Sequence, residues 1–199
     1  MAKDRTPMKI PVEKLSESPQ RFSFEGSPQW WSERAGSAPA LACSVEEPLS
    51  FAVDARWMGD SVLLEGVLRG QVEVECSRCL VRYRQPLSDG FRLILEPAGE
   101  GIPLDPESAK ALDRDGVCLG DDLEMGSYRG TELDLEAYLA ERVALNLPVQ
   151  PVCREDCAGL CPRCGADRNT AGCDCVEGNE KSPFAALSTL LTEKNEGKN

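Results

Sequence analysis

A chain of 199 residues with 41% apolar content has material for one sizeable hydrophobic core and a small appendage, and too little for two full domains. The formal net charge of −12 argues against a broad basic groove for naked nucleic acid, because binding a phosphate backbone rests on Lys and Arg displacing counterions. The lack of any histidine excludes Ser/His/Asp and Cys/His catalysis, and with them the catalytic zinc sites that depend on imidazole.

The opening MAKDRTPMKIPVEKL lacks the apolar centre of a secretory signal, and no run of eighteen apolar residues occurs, so the expected setting is a reducing cytoplasm without membrane association. Disulfides do not persist there, and the ten cysteines point instead to metal ligation or buried thiols. Pro11 limits MKIPVEKL to a short edge strand, and RFSFEG reads as another short strand. In SPQWWSERAG, Ser27 is placed to cap a helical turn with Pro28 at its first position. Trp30 and Trp31 read as core aromatics, having too few positive neighbours for a base-stacking platform. AGSAPALACSVEE reads as a loop entering a strand, with Cys43 as a small buried side chain.

From Pro48 to Glu96 the pattern predicts an antiparallel meander with strands near 50–58, 61–69, 71–76, 80–87 and 91–96. Val72, Val74 and Cys76 alternate with Gln71, Glu73 and Glu75, and Phe91, Leu93 and Leu95 repeat the period. Gly59-Asp60 is a hairpin signal, and Gly70 suggests a bulge or bend. Within the meander, Cys76 and Cys79 of CSRCL admit three readings: a metal or metal-assisting pair, a reduced structural pair at a strand turn, or a thiol–disulfide pair. The redox reading is disfavoured, because β-type sequence flanks the motif where a helix N-terminus is needed to lower a thiol pKa. Arg78, Arg82 and Arg84 can share one face and form the candidate contact with RNA or a partner, against the blander reading of a solvated sheet face.

Residues 97–130 turn to Gly, Pro and acids. Over 97–136 eleven acids stand against Lys110, Arg114 and Arg129, a net of −8, and the segment reads as a long acidic excursion, partly mobile. Its acids, among them Asp121, Asp122 and Glu124, suit either bait for a basic protein or a solvating loop, and Cys118 reads as incidental. A helix is predicted over 134–146, with Asp134 as N-cap and Leu135, Tyr138, Leu139 and Val143 along one face; Pro148 and Pro151 end it.

Residues 153–175 hold six of the ten cysteines. Their spacing is too crowded for a disulfide ladder and suits thiolates converging on a metal. CPRCG has the form of a rubredoxin-like knuckle, with Gly165 free to adopt positive φ after the second thiol. Cys161, Cys164, Cys173 and Cys175 are the preferred structural zinc tetrad. Cys153 and Cys157 are alternates, either replacing the CxC pair or completing a second site with Cys76 and Cys79. Four cysteines also suit an iron–sulfur cluster, but no redox partner signature accompanies them. Beyond the cluster, Ser182 and Pro183 open a helix with Phe184, Leu187 and Leu191 on one face, followed by a polar tail.

The predicted fold class is α+β: mainly an antiparallel β meander or barrel-like sheet, with two C-terminal helices and a cysteine-rich zinc knuckle. The expected partition is a core at 1–152 with the excursion at 97–130, a zinc-knuckle segment at 153–180, and a C-terminal helix and tail at 181–199. CSRCL, ELDLEAYLAERVALNLPVQPVC, CAGLCPRCGADRNTAGCDC and SPFAALSTLL together resemble the YceD-like family of bacterial and plastid large ribosomal RNA subunit accumulation proteins. GLCPRCGADRN is similar to that family's GLCxxCGxxxN signature, and the likeness runs from about residue 50 onward. The resemblance implies a non-enzymatic ribosome-assembly factor that supports accumulation of large-subunit rRNA. Its expected partners are large-subunit precursor particles, a basic ribosomal protein, or rRNA itself. The alternatives are an acidic module that chaperones a basic ribosomal protein, and a thiol-redox protein using Cys76 and Cys79.

Overall fold

The computed structural model describes residues 7–36, 43–98, 106–120 and 124–175. Asp121, Asp122 and the helix expected from Ser182 lie outside the described residues. The chain falls into two compact units, residues 1–153 and 154–199.

The first unit is mostly sheet. Its elements are β1 (Lys9–Pro11), β2 (Gln20–Gly26), α1 (Pro28–Ala35), β3 (Cys43–Ser44), β4 (Leu49–Met58), β5 (Ser61–Glu75), β6 (Arg82–Pro97), α2 (Pro106–Asp115), β7 (Val117–Leu119), β8 (Met125–Tyr128), β9 (Glu132–Asp134) and α3 (Glu136–Leu145). The main sheet runs β2-β4-β5-β6-β8-β7, with β3 also on β5, and β1 pairs β9 separately. All pairs are antiparallel except β6 with β8. Among the described residues the order ends at β2 and β7, so the sheet is open and does not close into the barrel-like variant of the expected fold.

Period-two patterning makes the long hairpin. Val62, Leu64, Leu68, Val72 and Val74 of β5 are buried, while Glu65, Val67, Arg69 and Gln71 are exposed. Two pairs of expected strands prove continuous. Gly70 does not break β5: a Cβ there would lie 2.4 Å from Leu49 Cδ2, so glycine admits the close approach of β4. Pro86 does not break β6, because β8 joins β6 only from Ile94 onward and the upstream half remains an edge, where proline is tolerated.

On the buried face lie Phe51, Val53, Leu64, Leu68, Phe91 and Leu93, in one core cluster with Trp30 and Trp31 of α1 and Tyr138, Leu139 and Val143 of α3. Trp30 meets Phe51 edge-on at 5.9 Å, and Phe91 meets Tyr138 at 5.5 Å. Ser27 Oγ accepts from Trp30 N at 3.2 Å and Pro28 starts α1, so this helix begins where the sequence indicates. The N-cap of α3 is Leu135, one residue later than expected; Asp134 Oδ1 still accepts from Glu136 N at 3.0 Å. Two ion pairs tie α3 down: Arg34 of α1 with Glu136 at 2.5 Å, and Arg142 with Asp89 of β6.

Where it is described, the acidic stretch carries regular secondary structure. Among its described residues α2 and β7 lead to β8, Cys118 is buried in β7, and Gly126 admits a backbone contact at which a Cβ would stand 2.4 Å from Cys118 O. On the other face of the main sheet, Ser23, Ala52, Val67 and Gly90 stand in register across four strands. These small side chains floor a trough of about 790 Å³ bordered by Arg21, Asp54, Glu65 and Arg92. No described helix is long and apolar enough to cross a membrane.

Candidate metal centres

β5 ends at Glu75 and the chain turns through CSRCL. Cys76 N donates to Val81 O at 2.9 Å, and Leu80 N donates back to Cys76 O at 2.9 Å. The second unit repeats this in CPRCG, where Cys161 N donates to Ala166 O at 2.8 Å and Gly165 N to Cys161 O at 2.8 Å. The residue after the second cysteine is left-handed in both turns, Leu80 at φ 61° and Gly165 at φ 73°. CSRCL is therefore the same knuckle as CPRCG, with leucine accepting a conformation that normally selects glycine.

Each knuckle meets a second pair of thiols. Pro151 O accepts from both Ser77 N (2.8 Å) and Ser77 Oγ (3.0 Å), which brings Cys153 up to the first knuckle. Cys153 N then donates to Cys76 Sγ at 3.4 Å, and Cys79 Sγ stands 3.7 Å from Cys153 Sγ. Cys157, one turn of chain further, supplies the fourth sulfur of this group; in the other group Cys173 and Cys175 join Cys161 and Cys164. Within each quartet all four sulfurs lie within 4.8 Å of one another.

The donor sets fit a tetrahedral thiophilic ion. A zinc–sulfur distance of about 2.3 Å gives a tetrahedron edge of ~3.8 Å. The Cys79–Cys153 separation of 3.7 Å has that length and is far beyond a disulfide bond. Electrostatics favour the thiolates of Cys76 and Cys161. Burial opposes ionisation of Cys76, but the N–H groups of Cys153, Cys79 and Arg78 together outweigh it and bring the thiol down to about 6. The N–H groups of Cys164 and Arg163, with the Cys173 thiol, bring Cys161 down to about 6 as well. Sharing the cluster has the opposite effect on its partners: Cys173 is raised beside Cys161, and Cys175 is raised to about 12, chiefly beside Cys164. Both shifts come first from thiol hydrogen bonds to those neighbours, and an ion bound by the sulfurs takes the place of the shared protons and releases them.

The preferred tetrad thus comes together as one quartet, and the two alternates join Cys76 and Cys79 in another. The residue to which the sequence reading gave no role is Asn169, the last of GLCPRCGADRN, whose Nδ2 donates to Cys157 Sγ at 3.6 Å. The three arginines of the expected contact patch stand as follows. Arg82 and Arg84 share the outer face of β6, but Arg82 pairs with Glu73 at 3.0 Å and Arg84 with Glu46 at 2.7 Å, while Arg78 is exposed on the first knuckle.

A family model described as Large ribosomal RNA subunit accumulation protein YceD matches residues 64–191. The chain is 23% identical over 164 residues to the Large ribosomal RNA subunit accumulation protein YCED homolog 1, chloroplastic, of Arabidopsis thaliana, covering 72% of this chain and 48% of that protein. Its Zea mays counterpart is 25% identical over 158 residues, covering 72% and 54%. An uncharacterised protein of Mycobacterium tuberculosis is 31% identical over 109 residues, covering 54% and 45%. The chain spans about half the length of these curated relatives. No solved structure matches it. The family match takes in both knuckles, the β6 strand and the α3 helix between them, and covers well over half of the sequence: the chain belongs to the YceD family of large ribosomal RNA subunit accumulation proteins.

Proposed function

We propose that this chain is a non-enzymatic assembly factor of the cytoplasm, that it supports accumulation of large-subunit rRNA, and that each cysteine quartet holds a structural zinc ion. The family membership supports the ribosomal role, and the duplicated knuckle geometry is the observation that carries the metal reading. The absence of histidine and of any nucleophile–base constellation in the sequence supports a binding role over a catalytic one. When bound, zinc supplies cross-linking of thiolates and no redox chemistry. The protein's own part is to present those thiolates: the knuckle N–H groups stabilise Cys76 and Cys161, and Ser77 anchors the strand that delivers Cys153.

The ion-paired arginines and the net charge of −12 favour contact with a basic protein component of the precursor particle over direct capture of rRNA. Depletion should lower large subunits and their rRNA selectively in ribosome profiles; an unchanged profile rejects the assembly role. Purified protein should carry two zinc ions and no iron–sulfur absorbance. Cys76→Ser and Cys161→Ser should each lose one ion, and retention of both ions by either variant rejects that site.

A further inference from the structure

Asn169 sits in the loop between Cys164 and Cys173, and every polar position of its side chain is used. Oδ1 accepts from Ala158 N at 2.8 Å and from Arg154 Nη2 at 2.8 Å. Nδ2 donates to Asp167 Oδ1 at 2.6 Å and to Cys157 Sγ at 3.6 Å, while the backbone N also donates to Asp167 Oδ1 at 2.9 Å. The orientation of the carboxamide is fixed by its neighbours: one end faces two groups that can only donate, and the other faces a carboxylate and a sulfur that accept.

Asp167 is itself built into the second knuckle. It forms a bridge with Leu160, next to Cys161, and its carbonyl accepts from Ala171 N at 3.0 Å on the way to Cys173. The backbone N–H and side chain of Asn169 hold the Asp167 carboxyl below its ordinary range. One carboxamide therefore joins a loop closed by the second quartet to a sulfur that belongs to the first.

We propose that Asn169 is a positioning residue that couples the two metal centres: held in place by the loop that the second quartet closes, it donates to Cys157 Sγ and orients that sulfur, so that loading the second centre tightens metal retention at the first. The inference rests on the zinc reading above. The N–H···S bond acts only while residues 167–171 hold their turn, and that turn lies between the two cysteine pairs of the second centre. Groups that orient metal ligands typically change metal affinity by about 10- to 100-fold.

The test uses the full chain titrated with Co(II), whose thiolate charge-transfer band reports each centre separately in two backgrounds. Cys161→Ser with Cys164→Ser leaves the first centre, and Cys76→Ser with Cys79→Ser leaves the second. In the otherwise wild-type chain, which carries both centres, Asn169→Ala should let a chelator remove one of the two Co(II) ions about 10- to 100-fold more readily, and in the Cys76→Ser, Cys79→Ser background it should weaken the second centre much less. Asn169→Asp, which keeps an acceptor oxygen but has no N–H to offer sulfur, should behave like Asn169→Ala at the first centre. Emptying the second centre should weaken the first by a similar factor, and adding Asn169→Ala in that background should cost little more. Unchanged retention at the first centre in Asn169→Ala overturns the coupling, and equal loss at both centres reduces Asn169 to a loop-folding residue and overturns it too. A wild-type chain that binds no metal rejects both the zinc reading and the coupling, whereas two independent ions reject the coupling alone.

Discussion

Replacing Gly66 by alanine tests how tightly β5, β6 and α3 are packed against one another. Gly66 stands opposite Phe91 in the hairpin, and a Cβ there would meet Phe91 Cζ at 2.3 Å, Cε2 at 2.6 Å and the Ala52 carbonyl oxygen at 3.0 Å. Carbon–carbon contact is comfortable from about 3.5 Å, so the ring must retreat by about 1 Å. Behind it stands Tyr138 of α3, with ring centroids 5.5 Å apart, and the retreat loads the helix that leads to Cys153. Overpacking costs about 1–3 kcal/mol. Removing a flexible glycine from a strand returns about 0.5–1 kcal/mol, which leaves a net loss of about 1–2 kcal/mol. Gly90 supplies the control: a Cβ there meets nothing within 4 Å, so Gly90→Ala keeps only the gain. Urea unfolding of the metal-loaded protein, followed by tryptophan fluorescence, should separate the two variants by about 2 kcal/mol. If Gly66→Ala matches wild type within ~0.5 kcal/mol, the packing argument fails, since that is the size of an ordinary surface substitution.

Three further outcomes are expected. Gly165→Ala meets no atom within 4 Å, so its φ of +73° is the only penalty; about 1 kcal/mol predicts roughly fivefold weaker metal retention at the second centre, readable by chelator competition. Asp89→Ala strands the Arg142 guanidinium beneath α3, and because both side chains are about one fifth exposed the loss should be about 2 kcal/mol, less than for a fully buried pair; Asp89→Leu with Arg142→Met should recover most of it in unfolding curves. Burial raises Tyr83, Tyr128 and Tyr138, the last to about 12. The folded state holds these protons more tightly, so this contribution to stability is complete below the unfolded value of about 10 and is lost as pH rises toward 12. Phenolate absorbance from the folded protein well below pH 10 would contradict it.

Elements with local causes were legible before any coordinates. Ser27-Pro28 opens α1, and alternating valines mark β5. What escaped the sequence depends on through-space neighbours. Gly70 looks like an interruption until Leu49 is seen against it. The parallel pairing of β8 with β6 comes from a return path that no periodicity records. CSRCL was harder to read than CPRCG because a glycine announces the left-handed residue in one and Leu80 hides it in the other, although the backbone hydrogen bonds are the same. Likewise Cys153 and Cys157 are recognisable as candidate ligands, but their grouping with Cys76 and Cys79 depends on where α3 delivers the chain.

The two knuckles also differ in the length of chain they must close. Cys79 and Cys153 are 74 residues apart, whereas the ends of the second quartet, Cys161 and Cys175, are only fourteen apart. Since closure entropy grows as the logarithm of loop length, the longer loop costs about 1.5 kcal/mol more, before the ordering of everything inside it. The second quartet can therefore gather its thiols locally as soon as its segment exists. The first must wait until β6 is paired and α3 has settled on it through Arg142 and Asp89. With the proposed metals in both quartets, uptake during folding should then run from the C-terminal centre to the sheet-borne one, against the order in which the cysteines are synthesised, and ligation of Cys76 would mark the moment at which the long-range topology is complete.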